Sequence, residues 1–170
     1  MMNTLEAIST RRSVRSFTSK PIAKEIVEEL LRAAMSAPSA GNEQPWQFVV
    51  IDDRKTLDRI TEVNPNAKMC KEAQAAILVC GDTSKEKYPG FWVQDCSAAA
   101  QNILLAAHDK GIGSVWTGVY PIEERVEGFR RLLGLPENVV PFCLVPLGYP
   151  AKQAPQVDRF QRDRVHHNGW

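Results

Sequence analysis

The stretch 91–110, FWVQDCSAAAQNILLAAHDK, constrains the fold of this chain more than any other segment. Its pattern predicts one long helix that ends at Gly111, because glycine is the commonest residue just after a helix. Alanine and leucine occupy most faces of this helix, and a helix that is apolar nearly all round is buried. We therefore expect a central helix against which the rest of the chain packs.

Shorter elements alternate along the remainder of the chain. Apolar periodicity, glycines and prolines predict further helices over 21–37, 54–63 and 122–134. They predict strands over 47–53, 75–82, 112–120 and 139–150, the third a strand or a strand plus loop and the last interrupted by prolines. This alternation predicts an α/β or α+β fold around one sheet, with 1–150 as the domain and 151–170 as a C-terminal arm.

Length and composition exclude several classes of protein. The chain has 170 residues, enough for one domain, and no apolar run reaches the roughly 18 residues of a membrane span. Its N-terminus lacks the apolar segment of a signal peptide. None of the four cysteines forms a CxxC pair, so we expect buried reduced thiols, no metal site, no membrane association and a cytoplasmic location.

The opening segment 11–17, RRSVRSF, places three arginines within five residues beside a serine. A nuclear signal, a nucleic-acid patch, a phosphate clamp and a solvated basic turn would all have this pattern. The chain as a whole has 21 basic and 20 acidic residues, whereas nucleic-acid-binding domains are usually strongly basic. Guanidinium groups bind phosphate oxygens through two parallel hydrogen bonds, so the segment favours a small anion.

Two segments rich in small residues could lie against a flat ligand. The segment 37–46, APSAGNEQPW, predicts a tight loop in which the amides of Asn42 and Gln44 could bond polar ring edges. The segment 113–120, GSVWTGVY, has glycines at a strand end, where backbone N–H groups can be exposed. Each also has a plain structural interpretation, as a helix stop with a loop anchored by Trp46 and as a buried strand with a turn.

The tail 151–170 has no regular pattern, yet it contains aromatic and basic residues. Disordered tails are usually poor in such apolar residues, so we expect the tail to pack on its own domain or on a partner. Its arginines could add positive charge to a phosphate site or could form a solvated face. They are Arg159, Arg162 and Arg164.

Familiar nucleotide and hydrolase motifs are missing from the sequence. There is no GxxxxGK[ST] loop, no GxGxxG after a strand and no GxSxG elbow. These absences disfavour a kinase, a Rossmann-type hydride enzyme and a serine hydrolase.

Taken in order, the segments RRSVRSF, PSAGNEQPWQFVV, GIGSVWTGVYP, LGYP, DRF and RVHHNGW resemble the nitroreductase family of flavin enzymes over nearly the whole chain. The resemblance implies an α+β fold, an α/β sandwich with a central, mostly antiparallel sheet surrounded by helices and a long buried central helix. It implies a homodimer with tightly bound FMN at the subunit interface and NADH or NADPH as co-substrate. The arm 151–170 would pack on the partner subunit.

The resemblance also implies site residues by their positions in this sequence. The opening segment would hold the FMN phosphate and ribityl chain, and Arg159 would add charge on the phosphate. The 38–40 loop would lie against the flavin from the other subunit, while Gly118 would present backbone N–H toward flavin N5. The full set of implied FMN residues is Arg11, Arg12, Ser13, Arg15, Pro38, Ser39, Ala40, Asn42, Lys68, Thr117, Gly118, Val119 and Arg159.

The activity implied is hydride transfer from NAD(P)H through flavin N5 to a nitroaromatic, quinone or similar acceptor by a ping-pong mechanism. No catalytic side chain is expected, because the reactive group belongs to the cofactor. Three alternatives stay open at this point. They are a specialised family member such as a dehalogenase or a flavin-destroying enzyme, a non-enzymatic flavin-binding or storage protein, and a nucleic-acid-binding protein.

Overall fold

An antiparallel sheet of five strands forms the centre of the protein in a computed structural model that describes residues 2–152, 155 and 157–170. The strands are β1 (Trp46–Ile51), β2 (Ala75–Asp82), β3 (Gly113–Ser114), β4 (Thr117–Gly118) and β5 (Val139–Gly148). Their order in the sheet is β1–β2–β5–β3, and β4 also pairs with β5. The α-helices are α1 (Thr4–Thr10), α2 (Lys24–Met35), α3 (Arg54–Val63), α4 (Trp92–Asp109) and α5 (Glu123–Leu133).

Helices cover both faces of this sheet. On one face, Ile77 and Val79 of β2 pack in a core that includes Ile103 of α4 and also takes in α2. On the other face, Leu78 of β2 packs with a core that includes Phe129 of α5 and also takes in α3. Every residue of β2 is buried, which explains why this strand is a continuous apolar run in the sequence. The predicted α+β sandwich and its buried central helix are confirmed.

The last strand was predicted to be interrupted by prolines, and this prediction was wrong. β5 is continuous through Pro141 and Pro146. Pro141 lies beside an irregularity in the pairing with β2 between Val79 and Cys80. Pro146 falls between the two residue pairs that β5 makes with β3 and the two it makes with β4. Since proline has no N–H to donate, the edge strand opposite it is divided into β3 and β4 rather than β5 being broken.

Near the N-terminus of the chain, one helix was not predicted and the start of another was predicted wrongly. Helix α1 was not predicted, although Asn3 accepts a hydrogen bond from the Glu6 N–H at 2.9 Å as an N-cap. A polar cap followed by Glu three residues later is a known mark of a helix start. Helix α2 begins at Lys24, three residues after the predicted start at Pro21, because Ala23 keeps an extended backbone as the N-cap.

The C-terminal tail leaves its large apolar side chains on the surface. Phe160 is 71% exposed and Trp170 is fully exposed, stacked only on the His166 ring at a centroid distance of 4.4 Å. In the part of the chain that the structure describes, no helix has both the length and the apolarity needed to cross a membrane. The four cysteines, in contrast, are all free and buried, as expected.

Candidate functional site

The opening segment lies along the sheet edge formed by β3. Ser13 bridges to Ser114 in the parallel direction, and the Val14 N–H donates to the Ser114 carbonyl at 2.9 Å. The contact is close enough that a Cβ on Gly113 would come within 2.7 Å of the Val14 side chain. This packing brings together two predicted motifs that are about 100 positions apart in sequence, the arginine segment and the glycine-containing segment 113–120.

Positive charge accumulates in a cleft beside this edge. The cleft has a volume of about 460 Å³ and is lined by residues 8–12 and 157–159. Partial burial lowers the pKa of Arg11, and the charges of Arg159 and Arg12 lower it further. Among the residues that the structure describes, no carboxylate lies within ion-pair distance of Arg11, Arg15 or Arg159. Asp158 also lines the cleft, where its carboxylate accepts the Phe160 N–H at 3.0 Å, so three arginines face one acidic residue and an anion such as a phosphate would compensate the remaining positive charge.

Arg12 differs from Arg11 because its guanidinium binds the backbone. It donates to the carbonyls of Ser9 at 2.9 Å and Arg11 at 2.7 Å. It also donates to two carbonyls of the tail, Pro155 at 3.0 Å and Val157 at 3.4 Å. The predicted phosphate ligand Arg12 thus fastens the tail to the opening segment, on the side where Arg159 joins the cleft.

Farther along the same edge, Gly118 offers an open backbone surface. A Cβ at this position would meet nothing within 4 Å. The Val119 N–H donates to the Phe142 carbonyl at 3.2 Å, and the Thr117 hydroxyl donates to the Leu144 carbonyl at 2.9 Å. Of these three predicted residues, Gly118 is therefore the one with space for a planar ligand against its backbone.

Two residues that the sequence analysis missed hold Gly118 in place. Its carbonyl accepts from Arg125 Nη1 at 2.8 Å and from Asn64 Nδ2 at 3.3 Å. The Gly118 carbonyl therefore points away from β5. In an antiparallel strand the N–H and C=O of one residue point to the same side, so the Gly118 N–H also points away from β5. Asn64 is fully buried and Arg125 lies on α5.

The predicted loop 37–46 is docked elsewhere: its central part, residues 38–44, lies at the N-terminal end of α4. The Ala40 N–H donates to Asp95 Oδ1 at 2.9 Å, Ser39 Oγ accepts from the Gln44 N–H at 3.1 Å, and Asn42 Oδ1 accepts from Gln44 Nε2 at 2.8 Å. Pro38 and Asn42 are exposed. Within the described residues, no hydrogen bond joins this loop to the opening segment.

The end of α1, directly before the opening segment, docks at the other end of the same helix. Thr10 Oγ1 lies 2.7 Å from His108 Nε2 on α4. Asp95 and His108 are 13 positions apart in this helix, or about 20 Å along its axis. Lys68, the remaining predicted residue, is exposed at the start of a 3-10 turn (Lys68–Lys71) that follows Asn64. The single chain thus places the arginine segment and the 38–44 loop at opposite ends of α4, while Tyr120, two residues after Gly118, packs on Trp92 at the loop's end of that helix with ring centroids 4.9 Å apart.

The chain is similar to known proteins along its whole length. The family profile described as "Nitroreductase family" matches residues 8–75 and 62–149. A protein of Methanothermobacter thermautotrophicus, provisionally named NADH dehydrogenase/NAD(P)H nitroreductase, is 54% identical over 99% of this chain and 88% of that protein.

Solved structures agree with the sequence match. A crystal structure from Parabacteroides distasonis, with the same provisional name, superposes with a TM-score of 0.95 at 45% identity and covers 100% of both chains. A nitroreductase-type protein from Desulfovibrio desulfuricans, solved in complex with FMN, has a TM-score of 0.85 at 28% identity, covering 100% of this chain and 99% of that one.

Proposed function

Because the chain belongs to the nitroreductase family of oxidoreductases, we propose that it binds FMN along the β3–β4 edge and uses NADH or NADPH to reduce an organic acceptor. The observation that supports this most directly is that β3, to which the opening segment is bridged, and β4, which contains Gly118, both pair with β5. One end of the β3–β4 edge has an excess of positive charge, and the other offers open backbone. A ligand with a phosphate at one end and a planar ring at the other suits both ends.

Arg11 and Arg159 would hold the phosphate, with Arg15 and Ser13 as further donors from the same segment. Charge-assisted hydrogen bonds to arginine are among the stronger polar contacts in proteins. Arg12 would contribute by keeping Arg159 close to Arg11, since its guanidinium is bound to tail carbonyls. The arginine segment would then act as an anion clamp, and it would not be a nucleic-acid patch.

At the ring end, the Gly118 N–H would donate toward the reactive edge of the flavin. Arg125 and Asn64 fix the Gly118 carbonyl and so orient this peptide before any ligand arrives. Bound FMN supplies the hydride-accepting centre, so no side chain of this protein has to act as nucleophile or obligatory acid. The protein contributes position, charge and an open surface on which donor and acceptor bind in turn.

A homodimer with the sites at its interface completes this proposal. The 38–44 loop and the opening segment dock at opposite ends of α4, which suits a site whose loop comes from a second copy of the chain. Exposed Phe160 and Trp170 give the tail apolar surface that a partner subunit could bury. The four free buried thiols fit a reducing compartment such as the cytoplasm.

For the acceptor we propose a nitroaromatic or a quinone, reduced in a ping-pong cycle. The test is the absorption spectrum of the purified protein before and after anaerobic addition of NADH or NADPH. A flavin band that bleaches with either nucleotide and returns when a quinone is added supports the proposal. A protein that stays colourless after reconstitution with FMN contradicts flavin binding, and a flavin band that neither nucleotide bleaches supports a storage protein instead.

A further inference from the structure

The loop 38–44 has an unusual backbone for residues other than glycine. Asn42 and Gln44 have φ values of 55° and 48°, and Gly41 in the same loop has a φ of 51°. Side chains with a Cβ rarely adopt this left-handed region, and such backbone persists only where the surroundings fix it. The loop therefore depends on the contacts that hold it.

Two buried carboxyl groups make most of these contacts. Asp95 Oδ1 on α4 accepts the Ala40 N–H at 2.9 Å. Glu43 Oε2 accepts the N–H groups of Lys87 at 2.6 Å and Tyr88 at 3.2 Å. Through these bonds, Asp95 ties the loop to the central helix and Glu43 ties it to the segment that precedes that helix.

Each of these two carboxyl groups keeps one buried oxygen without a donor. Glu43 Oε1 and Asp95 Oδ2 have no hydrogen-bond donor among the residues that the structure describes. Both residues are bound to Ala40, since Asp95 accepts its N–H and the Glu43 N–H donates to its carbonyl at 3.0 Å, and each carboxyl group affects the pKa of the other. Two ionised carboxylates can only accept, whereas a protonated one donates its O–H, so a single proton between them satisfies both oxygens.

We propose that Glu43 and Asp95 share one proton and together position the 38–44 loop for binding FMN. This inference rests on the proposed function, because it takes the loop to be part of the flavin site. Both carboxyl groups are buried and bind backbone N–H groups, so they act through the loop as positioning residues.

The surroundings indicate which of the two carboxyl groups holds the proton. Burial raises the pKa of Asp95, and the neighbouring Glu43 and Glu86 raise it further against the opposing effect of the Ala40 N–H. Burial also disfavours the ionised form of Glu43, but the Lys87 and Tyr88 N–H groups, the bond to Asp95 and the Lys87 charge outweigh it and lower its pKa. Of the two groups, Asp95 is therefore the later to lose its proton as the pH rises.

The loop should accordingly loosen as the pH rises through the raised pKa of Asp95. A carboxyl group whose pKa is raised by folding stabilises the folded arrangement below its unfolded pKa and loses that contribution as pH rises through the folded pKa. The adjacent Cys96 does not supply charge in this process, because burial raises the pKa of its thiol. Loss of the Asp95 proton would leave two neighbouring negative charges beneath the loop.

The experiment measures FMN affinity of reconstituted apoprotein from acidic to alkaline pH. Asp95→Ala removes the acceptor for Ala40 and should weaken FMN binding roughly tenfold or more at neutral pH. Asp95→Asn keeps both an acceptor for Ala40 and a neutral donor for Glu43, so it should bind FMN like the unaltered protein with Asp95 protonated and lose the decline of affinity with rising pH. Asp82→Ala is the matched control, because Asp82 is a buried carboxylate whose side chain binds Ser84 at 3.0 Å and Asn138 at 2.8 Å instead of the loop.

Unchanged FMN affinity in Asp95→Ala, or a decline with rising pH in Asp95→Asn equal to that of the unaltered protein, would overturn the shared-proton pair. If Asp95→Ala does not fold, the pH profile of Asp95→Asn decides by the same criterion. If the unaltered protein takes up no FMN, the proposed function fails and hydrogen exchange in the apoprotein tests the pair separately. Protection of the Ala40 and Lys87 amides that is kept in Asp95→Asn supports the pair, and protection lost there overturns it.

Discussion

At the scale of single residues, the arginines of the opening segment have different tasks. Arg11 lies in the cleft with Arg159 and has no carboxylate partner among the described residues, while Arg12 is bound to four backbone carbonyls. Sequence alone gives them one role, because adjacent arginines have the same chemistry. Only the folded chain shows which guanidinium is free for a ligand.

Replacing Arg11 or Arg15 with Ala should weaken FMN binding much more than riboflavin binding. Each substitution removes a charge-assisted hydrogen bond to the phosphate, worth about 1.5–3 kcal/mol, or roughly 10- to 150-fold in affinity. Riboflavin has no phosphate, so its binding does not include this hydrogen bond. Fluorescence titration of the two flavins measures the difference. Arg59→Ala is a control at an exposed arginine of α3. Equal weakening for both flavins would show that these arginines do not bind the phosphate.

The glycine of the ring site gives a second test at this scale. Gly118→Ala adds a Cβ that meets nothing within 4 Å, so stability should hardly change while FMN binding weakens. Gly128→Ala on α5 is the reverse control, because its Cβ would come within 2.8 Å of Val63 and should lower the melting temperature. Thermal unfolding of both apoproteins, beside FMN titration, separates the two effects. A Gly118→Ala protein with unaltered FMN affinity would remove Gly118 from the site.

At the scale of elements, the sequence predicted the parts that depend on local pattern. Helix α3 and strand β2 match their predicted ranges, since their periodicity and their polar ends are local properties. The division of the edge strand into β3 and β4 was missed because it depends on Pro146 of a partner strand. Asn64, Arg125 and the Glu43–Asp95 pair were missed because their roles also depend on partners distant in sequence. In the sequence, Asp95 has the position of an ordinary acidic residue in the first turn of a helix.

The C-terminal tail has few contacts that would indicate its role within a single chain. Arg12 fastens its first part to the opening segment, and Phe160, Val165 and Trp170 remain exposed. Truncation after Pro150 should therefore weaken the dimer and FMN binding together. Burial of each apolar side chain by a partner is worth up to about 1.5–3 kcal/mol, and Arg159 is lost with them. Sedimentation and FMN titration of the truncated protein measure both, and a tight dimer with unchanged FMN affinity would make the tail passive.

At the scale of the whole molecule, the question is whether one chain or two make a flavin site. Asp95 and His108 anchor the 38–44 loop and the opening segment about 20 Å apart along α4. If the sites are shared, each one combines the arginines of one subunit with the loop of its partner. A hybrid dimer of two differently damaged chains would then contain one site with both defects and one site with neither.

Co-expression of Arg11→Ala with Pro38→Trp tests this arrangement. Pro38 is exposed, so a large side chain there should block the ring without disturbing the core. Neither variant alone should bind FMN tightly, whereas random mixing of the two makes half of the dimers hybrids and should restore tight FMN binding at about a quarter of the sites. Differential tags on the two chains allow the hybrid to be purified and its FMN content measured. A site contained in one chain would leave every site in the hybrid damaged, because each chain would keep its own defect, and mixing would restore nothing.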